Sequence, residues 1–170
     1  MTFKTVLLFC LTFAMLTACE KVNDDRIPPV PAYLALNNAG LWNTYGVAGY
    51  GQSRYFNKNK RFPANYSYKE TDYTGFGGIL LIEGIDGPLA YDGACPVEAT
   101  TDAVLTIDSD NYEAVCSKCG SRFNVCEAAG APISGKAHEL KYGLRRFSVI
   151  AASGGYIITS RYITLININL

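Results

Sequence analysis

An all-β fold is what this sequence predicts, and three observations predict it. Short apolar runs recur along the chain, such as Gly77-Gly78-Ile79-Leu80-Leu81-Ile82 and Tyr156-Ile157-Ile158-Thr159. Turn residues punctuate them: Gly84 to Pro88, Asp108-Ser109-Asp110-Asn111, and Gly154-Gly155. No stretch of the region after the N-terminal segment sustains a helical period. Many short strands with glycine turns read as a barrel or sandwich.

The 170 residues suffice for one domain with a single core. Formal net charge is zero, which argues against a nucleic-acid partner. Residues 1–18 have the form of a signal peptide, with Lys4 ahead of the apolar run VLLFCLTFAML. That run is too short for the roughly 20 residues of a spanning helix. Leu16-Thr17-Ala18-Cys19 resembles the lipobox of a bacterial lipoprotein. The resemblance implies cleavage before Cys19, acylation of its thiol and amine, and stable membrane anchoring. Glu20 after the cysteine points to the outer membrane. Residues 19–32, charged and proline-rich, read as a flexible tether holding the domain away from the bilayer.

A single β domain is expected over 33–170. Tyr33 to Leu36 forms its first strand, and Asn37 to Gly40 breaks it. Residues 41–73 hold Trp42 and Tyr45, Tyr50, Tyr55, Tyr66, Tyr68 and Tyr73. They read as an irregular flap wrapping the domain, with an aromatic binding surface as the alternative. Gly77 to Ile82 is a buried strand, and Leu89-Ala90-Tyr91 enters a loop carrying Cys95 and Glu98. Ala103 to Ile107 and a strand from Tyr112 form a hairpin around Asp108 to Asn111. It leads to a second loop carrying Cys116 and Cys119. Each strand advances roughly 3.3 Å per residue, so the hairpin returns the chain to where it left. The two cysteine loops must meet at one end of it. Ser121 to Val125, Gly143 to Val149 and Tyr156 to Thr159 complete the strands, and ITLININL adds an edge.

Cys126 follows a strand leaving the second loop. Five extended residues span about 17 Å, so it reads as a core thiol. The loop inventory is Cys95, Cys116, Cys119 and Glu98. His138, the one histidine, lies in a polar run and reads as a surface residue. Arg122, Arg145 and Arg146 read as solvent-facing or paired with acids. No Ser-His-Asp set can form, and no carboxylate pair stands out, so hydrolytic catalysis is unsupported.

Cys95-Pro96-Val97, a hairpin, then Cys116-Ser117-Lys118-Cys119-Gly120 resembles the Rieske domain. That family has a C-x-H loop, a hairpin and a C-x-x-H loop. The resemblance covers roughly Thr74 to Ser160 and implies a Rieske-like barrel or sandwich with a two-loop cysteine subdomain. It also implies a [2Fe-2S] cluster that relays electrons to a redox partner without catalysis of its own. Val97 and Cys119 stand at the histidine positions, so the implied centre is a variant. Lys136 stands where the family's covering loop has a proline. Cys95, Cys116 and Cys119 would ligate it, with Glu98 or a further thiol as fourth donor; thiolate in place of imidazole lowers the potential. Two further readings stand beside it. The same four groups suit one tetrahedral Zn²⁺. Alternatively the site is metal-free, and a Cys95–Cys116 or Cys95–Cys119 disulfide staples a binding or structural module in an oxidising compartment.

Overall fold

The computed structural model describes residues 21–160. The expected signal peptide, Cys19 and the ITLININL tail, expected as an edge strand, lie outside the described residues. In chain order the elements are β1 (Ala32–Leu36), α1 (Ala39–Tyr45), β2 (Ser53–Phe56), β3 (Tyr73–Thr74), β4 (Ile79–Gly84), β5 (Gly87–Asp92), β6 (Leu105–Asp108), β7 (Glu113–Cys116), β8 (Arg122–Asn124), β9 (Ala131–Ser134), α2 (Lys136–Leu140), β10 (Arg146–Ala152) and β11 (Gly155–Thr159). The fold is all-β. A seven-stranded antiparallel sheet runs β2-β4-β5-β10-β11-β1-β3, and a four-stranded sheet runs β6-β7-β8-β9.

β4 explains why its sequence is a continuous apolar run. Leu80 and Ile82 enter a core shared with Tyr91, Leu105, Ala114, Phe123 and Leu144, between the two sheets. Ile79 and Leu81 point the other way, into a second core with Leu34, Leu36, Phe56, Phe147 and Ile158. A strand buried on both faces needs no polar alternation. The cysteines Cys95, Cys116 and Cys126 belong to the first core.

The hairpin β6–β7 pairs Leu105 with Cys116 and Asp108 with Glu113. Its first strand starts at Leu105 rather than at Ala103. The backbone of Ala103 and Val104 is engaged by the first cysteine loop instead, through Cys95 N–H to Ala103 O at 2.8 Å and an Ala94–Val104 bridge. Its return strand starts one residue after Tyr112, which sits at φ 55° in the turn.

Two short helices were not expected. Asn38 caps α1 by accepting from Leu41 N–H at 2.9 Å, and Gly46 N–H closes it on Trp42 O at 2.7 Å. No residue of α1 is buried, so it carries no apolar period to read. After β9 the chain turns at Gly135 into α2, which buries only Ala137. His138 on α2 is exposed.

Tyr45, Tyr50, Tyr55, Tyr66 and Tyr68 of residues 41–73 make bonds and ring contacts within the domain, whereas Tyr73 is exposed. Tyr45 OH donates to Asn65 O at 2.6 Å, Tyr50 OH to Glu127 at 2.8 Å, and Tyr55 OH to Gly77 O. The Tyr66 ring meets Tyr45, Tyr68 and Phe56 edge-on. Lys58 Nζ donates to the carbonyls of Lys69, Glu70 and Asp72 at 2.7–3.0 Å and closes the loop between β2 and β3.

Part of the segment expected as a flexible tether, 19–32, is docked on the domain through Asn23, Asp25 and Ile27. Asn23 exchanges backbone bonds with Lys141 O at 2.8 Å and Gly143 N–H at 2.9 Å. Ile27 is buried, and its carbonyl accepts from Arg145 Nε at 2.9 Å.

Asp92 closes the join between the flap and the first cysteine loop. It is 1% exposed. Its Oδ2 accepts from Phe76 N–H at 2.7 Å, and its Oδ1 from Gly77 at 2.8 Å and Ala94 at 3.0 Å. Only glycine fits at 77, because a Cβ would lie 2.4 Å from Ala94 N. Asp92→Asn presents an NH₂ to at least one of these donors. It should destabilise the fold by about 1–3 kcal/mol in chemical denaturation.

Arg122 on β8 pairs with Asp108 and Glu113 across the small sheet. Its guanidinium, with help from Asn111 and Asp110 N–H, holds the Asp108 carboxyl down at about 2. A depressed folded value adds stability above the unfolded value of about 3.9, and that stability is lost as pH falls through about 2. The side-chain carboxyl shift of Asp108 in an NMR titration should have its midpoint at about pH 2. In Arg122→Gln its midpoint should return toward about 3.9.

Candidate metal centre

The two cysteine loops are built alike. Ala99 N–H donates to Cys95 O at 2.8 Å, and Gly120 N–H donates to Cys116 O at 2.9 Å. Both closing residues are left-handed, Ala99 at φ 49° and Gly120 at φ 68°. Each loop is one helical-type turn that stops on a left-handed residue. The fourth residue of the first turn is Glu98, and that of the second is Cys119.

Strand register sets the turns side by side. Cys116 pairs with Leu105, whose N–H donates to Gly93 O at 2.8 Å just before Cys95. The expected convergence of Cys95, Cys116 and Cys119 is therefore met: their sulfurs all lie within 4.8 Å of one another. Cys95 and Cys119 are 3.6 Å apart. All four described cysteines are free thiols. A disulfide would need about 2.05 Å.

Cys95 and Cys116 are fully buried, whereas Cys119 is half-buried. Cys126 is buried but stands apart from the trio, with its sulfur 3.7 Å from Tyr112 O. The Glu98 side chain is half-buried, and its carboxylate is not within the 4.8 Å group. Arg122 and Arg145 are engaged elsewhere, with Asp108 and Glu113 and with Asp25 at 3.3 Å.

Electrostatics separate the thiols. Burial pushes the Cys95 thiol well up, the backbone N–H groups of Glu98 and Val97 oppose this, and the neighbouring thiols add to it. Burial also pushes Cys119 up, but the Ser121 hydroxyl, the Ser121 N–H and the other two thiols more than offset it. The net shift of Cys119 is downward. Its thiolate is the first to form among the pair.

Ser121 was not anticipated by the sequence reading. It is fully buried, its Oγ lies 3.2 Å from Cys119 Sγ, and it accepts from Ala137 N–H at 3.0 Å. The first turn of α2 thus orients a hydroxyl at the most exposed sulfur. A serine two residues after C-x-x-C carries no signal of its own, since the α2 contact comes from 16 residues away.

A zinc–thiolate bond is about 2.3 Å, so two sulfurs on one tetrahedral ion sit about 3.8 Å apart. The 3.6 Å between Cys95 and Cys119 matches that edge. No family model, curated protein or solved structure matches the chain.

Peptide mapping after brief iodoacetamide treatment of reduced, metal-free protein should find Cys119 alkylated first and Cys95, Cys116 and Cys126 protected. In Ser121→Ala the Cys119 thiolate loses its hydroxyl donor. Its alkylation at neutral pH should slow, and the midpoint of its rate–pH profile should move up.

Proposed function

We propose that this chain is a lipid-anchored bacterial envelope protein that binds one metal ion through Cys95, Cys116 and Cys119, with Glu98 as fourth ligand. The observation that carries the reading is the approach of three thiols within 4.8 Å at the tips of two matching turns. Glu98 enters by position: it occupies in the first turn the place that Cys119 holds in the second.

The scaffold resembles a Rieske domain in loop order. A two-imidazole cluster does not fit this donor set, because Val97 and Cys119 stand at the histidine positions. A two-iron cluster also divides its terminal ligands between two metals, whereas three sulfurs this close point to one. A single bound ion supplies a cross-link between the loop from the large sheet and the loop from the small one. If the ion is iron, it also supplies one-electron chemistry for a redox partner, and the half-buried Cys119 marks the side of exchange. Zinc supplies the cross-link alone.

The chain's residues do the rest. N–H groups of Val97, Glu98 and Ser121 face the sulfurs and favour their thiolate form. The fully buried Cys95 and Cys116 exclude water from the inner side.

Protein lacking residues 1–18, purified without oxygen, should contain one equivalent of zinc or iron and no acid-labile sulfide. Even outer-shell partners of a metal ligand are worth 10–100-fold in affinity. Serine at 95, 116 or 119 should therefore weaken binding by at least about 100-fold, and Glu98→Gln should weaken it less. Two irons with two sulfides would restore the cluster in its [2Fe-2S] form. A metal-free chain with a Cys95–Cys119 disulfide would replace the metal reading with the stapled module.

A further inference from the structure

The N-terminal segment fixes which face of the domain is nearest its anchor. Asn23 is held between Lys141 and Gly143 by backbone bonds of 2.8 and 2.9 Å. Arg26 lies over the Tyr142 ring, 5.5 Å from its centre. Arg145 grips Asp25 and the Ile27 carbonyl. Cys19 precedes Asn23 by four residues, and an extended chain covers at most about 3.6 Å per residue. The acylated residue cannot then lie more than about 14 Å from the docking point.

We infer that the face formed by α2, Val22 and the start of β9 lies against the lipid surface, rather than standing off it on a tether. This rests on the lipid anchor at Cys19 proposed above. The surface suits that contact. Val22 is 37% exposed and Leu140 on α2 is 42% exposed. Beside them Val22, Ala131, Pro132, His138 and Lys141 line a shallow cleft of about 180 Å³. Apolar side chains at a surface held within a few residues of acyl chains enter the headgroup region. With Asp25 paired to Arg145, Lys21, Arg26, Lys136 and Lys141 outnumber Asp24 and Glu139 there, so no net negative charge opposes a lipid surface.

The orientation reaches the cysteine site. Asn23 bridges to Tyr142, Tyr142 N–H donates to Ala137 O, and Ala137 N–H donates to Ser121, which touches Cys119. The helix that orients the site's hydroxyl is thus the helix placed at the membrane.

The test is lysine labelling of the full chain, acylated by its host and reconstituted in phosphatidylcholine vesicles, with a water-soluble acylating reagent and mass spectrometry. Unanchored Cys19→Ser protein in solution is the reference. Lys136 should react several-fold more slowly in the vesicles, while Lys60 and Lys69, between β2 and β3, react as in solution. Acylation at Cys19 with no selective protection of Lys136 would overturn the orientation and leave the anchor standing. Absence of acyl mass on Cys19 would remove the anchor, and the orientation with it.

Discussion

Asp92 accepts three backbone N–H groups from two separate segments, Phe76-Gly77 and Ala94, while almost fully shielded from water. Its burial alone pushes the carboxyl's pKa up, and the donated bonds and the nearby Arg145 push back. A carboxylate in that setting is costly unless every lone pair has a donor. The backbone around it is therefore not free to move. Gly77 must press against Ala94, and Ala94 must hand Cys95 into the space beside β6. The direction of the first cysteine loop, and with it the meeting of the three thiols, depends on this one buried acid.

The second constraint is the sheet between the loops. β6 is hydrogen-bonded on one edge to the first loop and on the other to β7. Cys95 and Cys116 are consequently separated by a single strand, and the left-handed closures at Ala99 and Gly120 bend both turns the same way. Alanine at such a position costs roughly 1–2 kcal/mol relative to the right-handed region, whereas glycine at 120 meets nothing within 4 Å.

Much of this was legible in the sequence. The β class, the hairpin around Asp108 to Asn111, the convergence of the three cysteines and the exclusion of Cys126 all follow from strand periodicity and chain reach. What escaped detection was short or long-range. α1 and α2 are seven and five residues with almost nothing buried, so no period could mark them. Ser121 acquires its role only through Ala137, and Asp92 only through the turn at Phe76-Gly77. The segment at Asn23 looked unstructured because its partners, Lys141 and Gly143, are backbone groups far along the chain. Polar composition says nothing about such pairing.

The β1–β11 ladder, Tyr33 with Thr159 through Leu36 with Tyr156, sets a schedule for the nascent polypeptide. Strand β1, the first among the described residues, finds its long neighbour only when β11, about 120 residues later, has been made. Until then an apolar edge waits unsatisfied, and contacts of such large sequence separation form slowly. A chain arranged in this way is exposed to misassociation while the residues between β1 and β11 are being made, and its passage to the folded state leans on whatever escorts it in the interval.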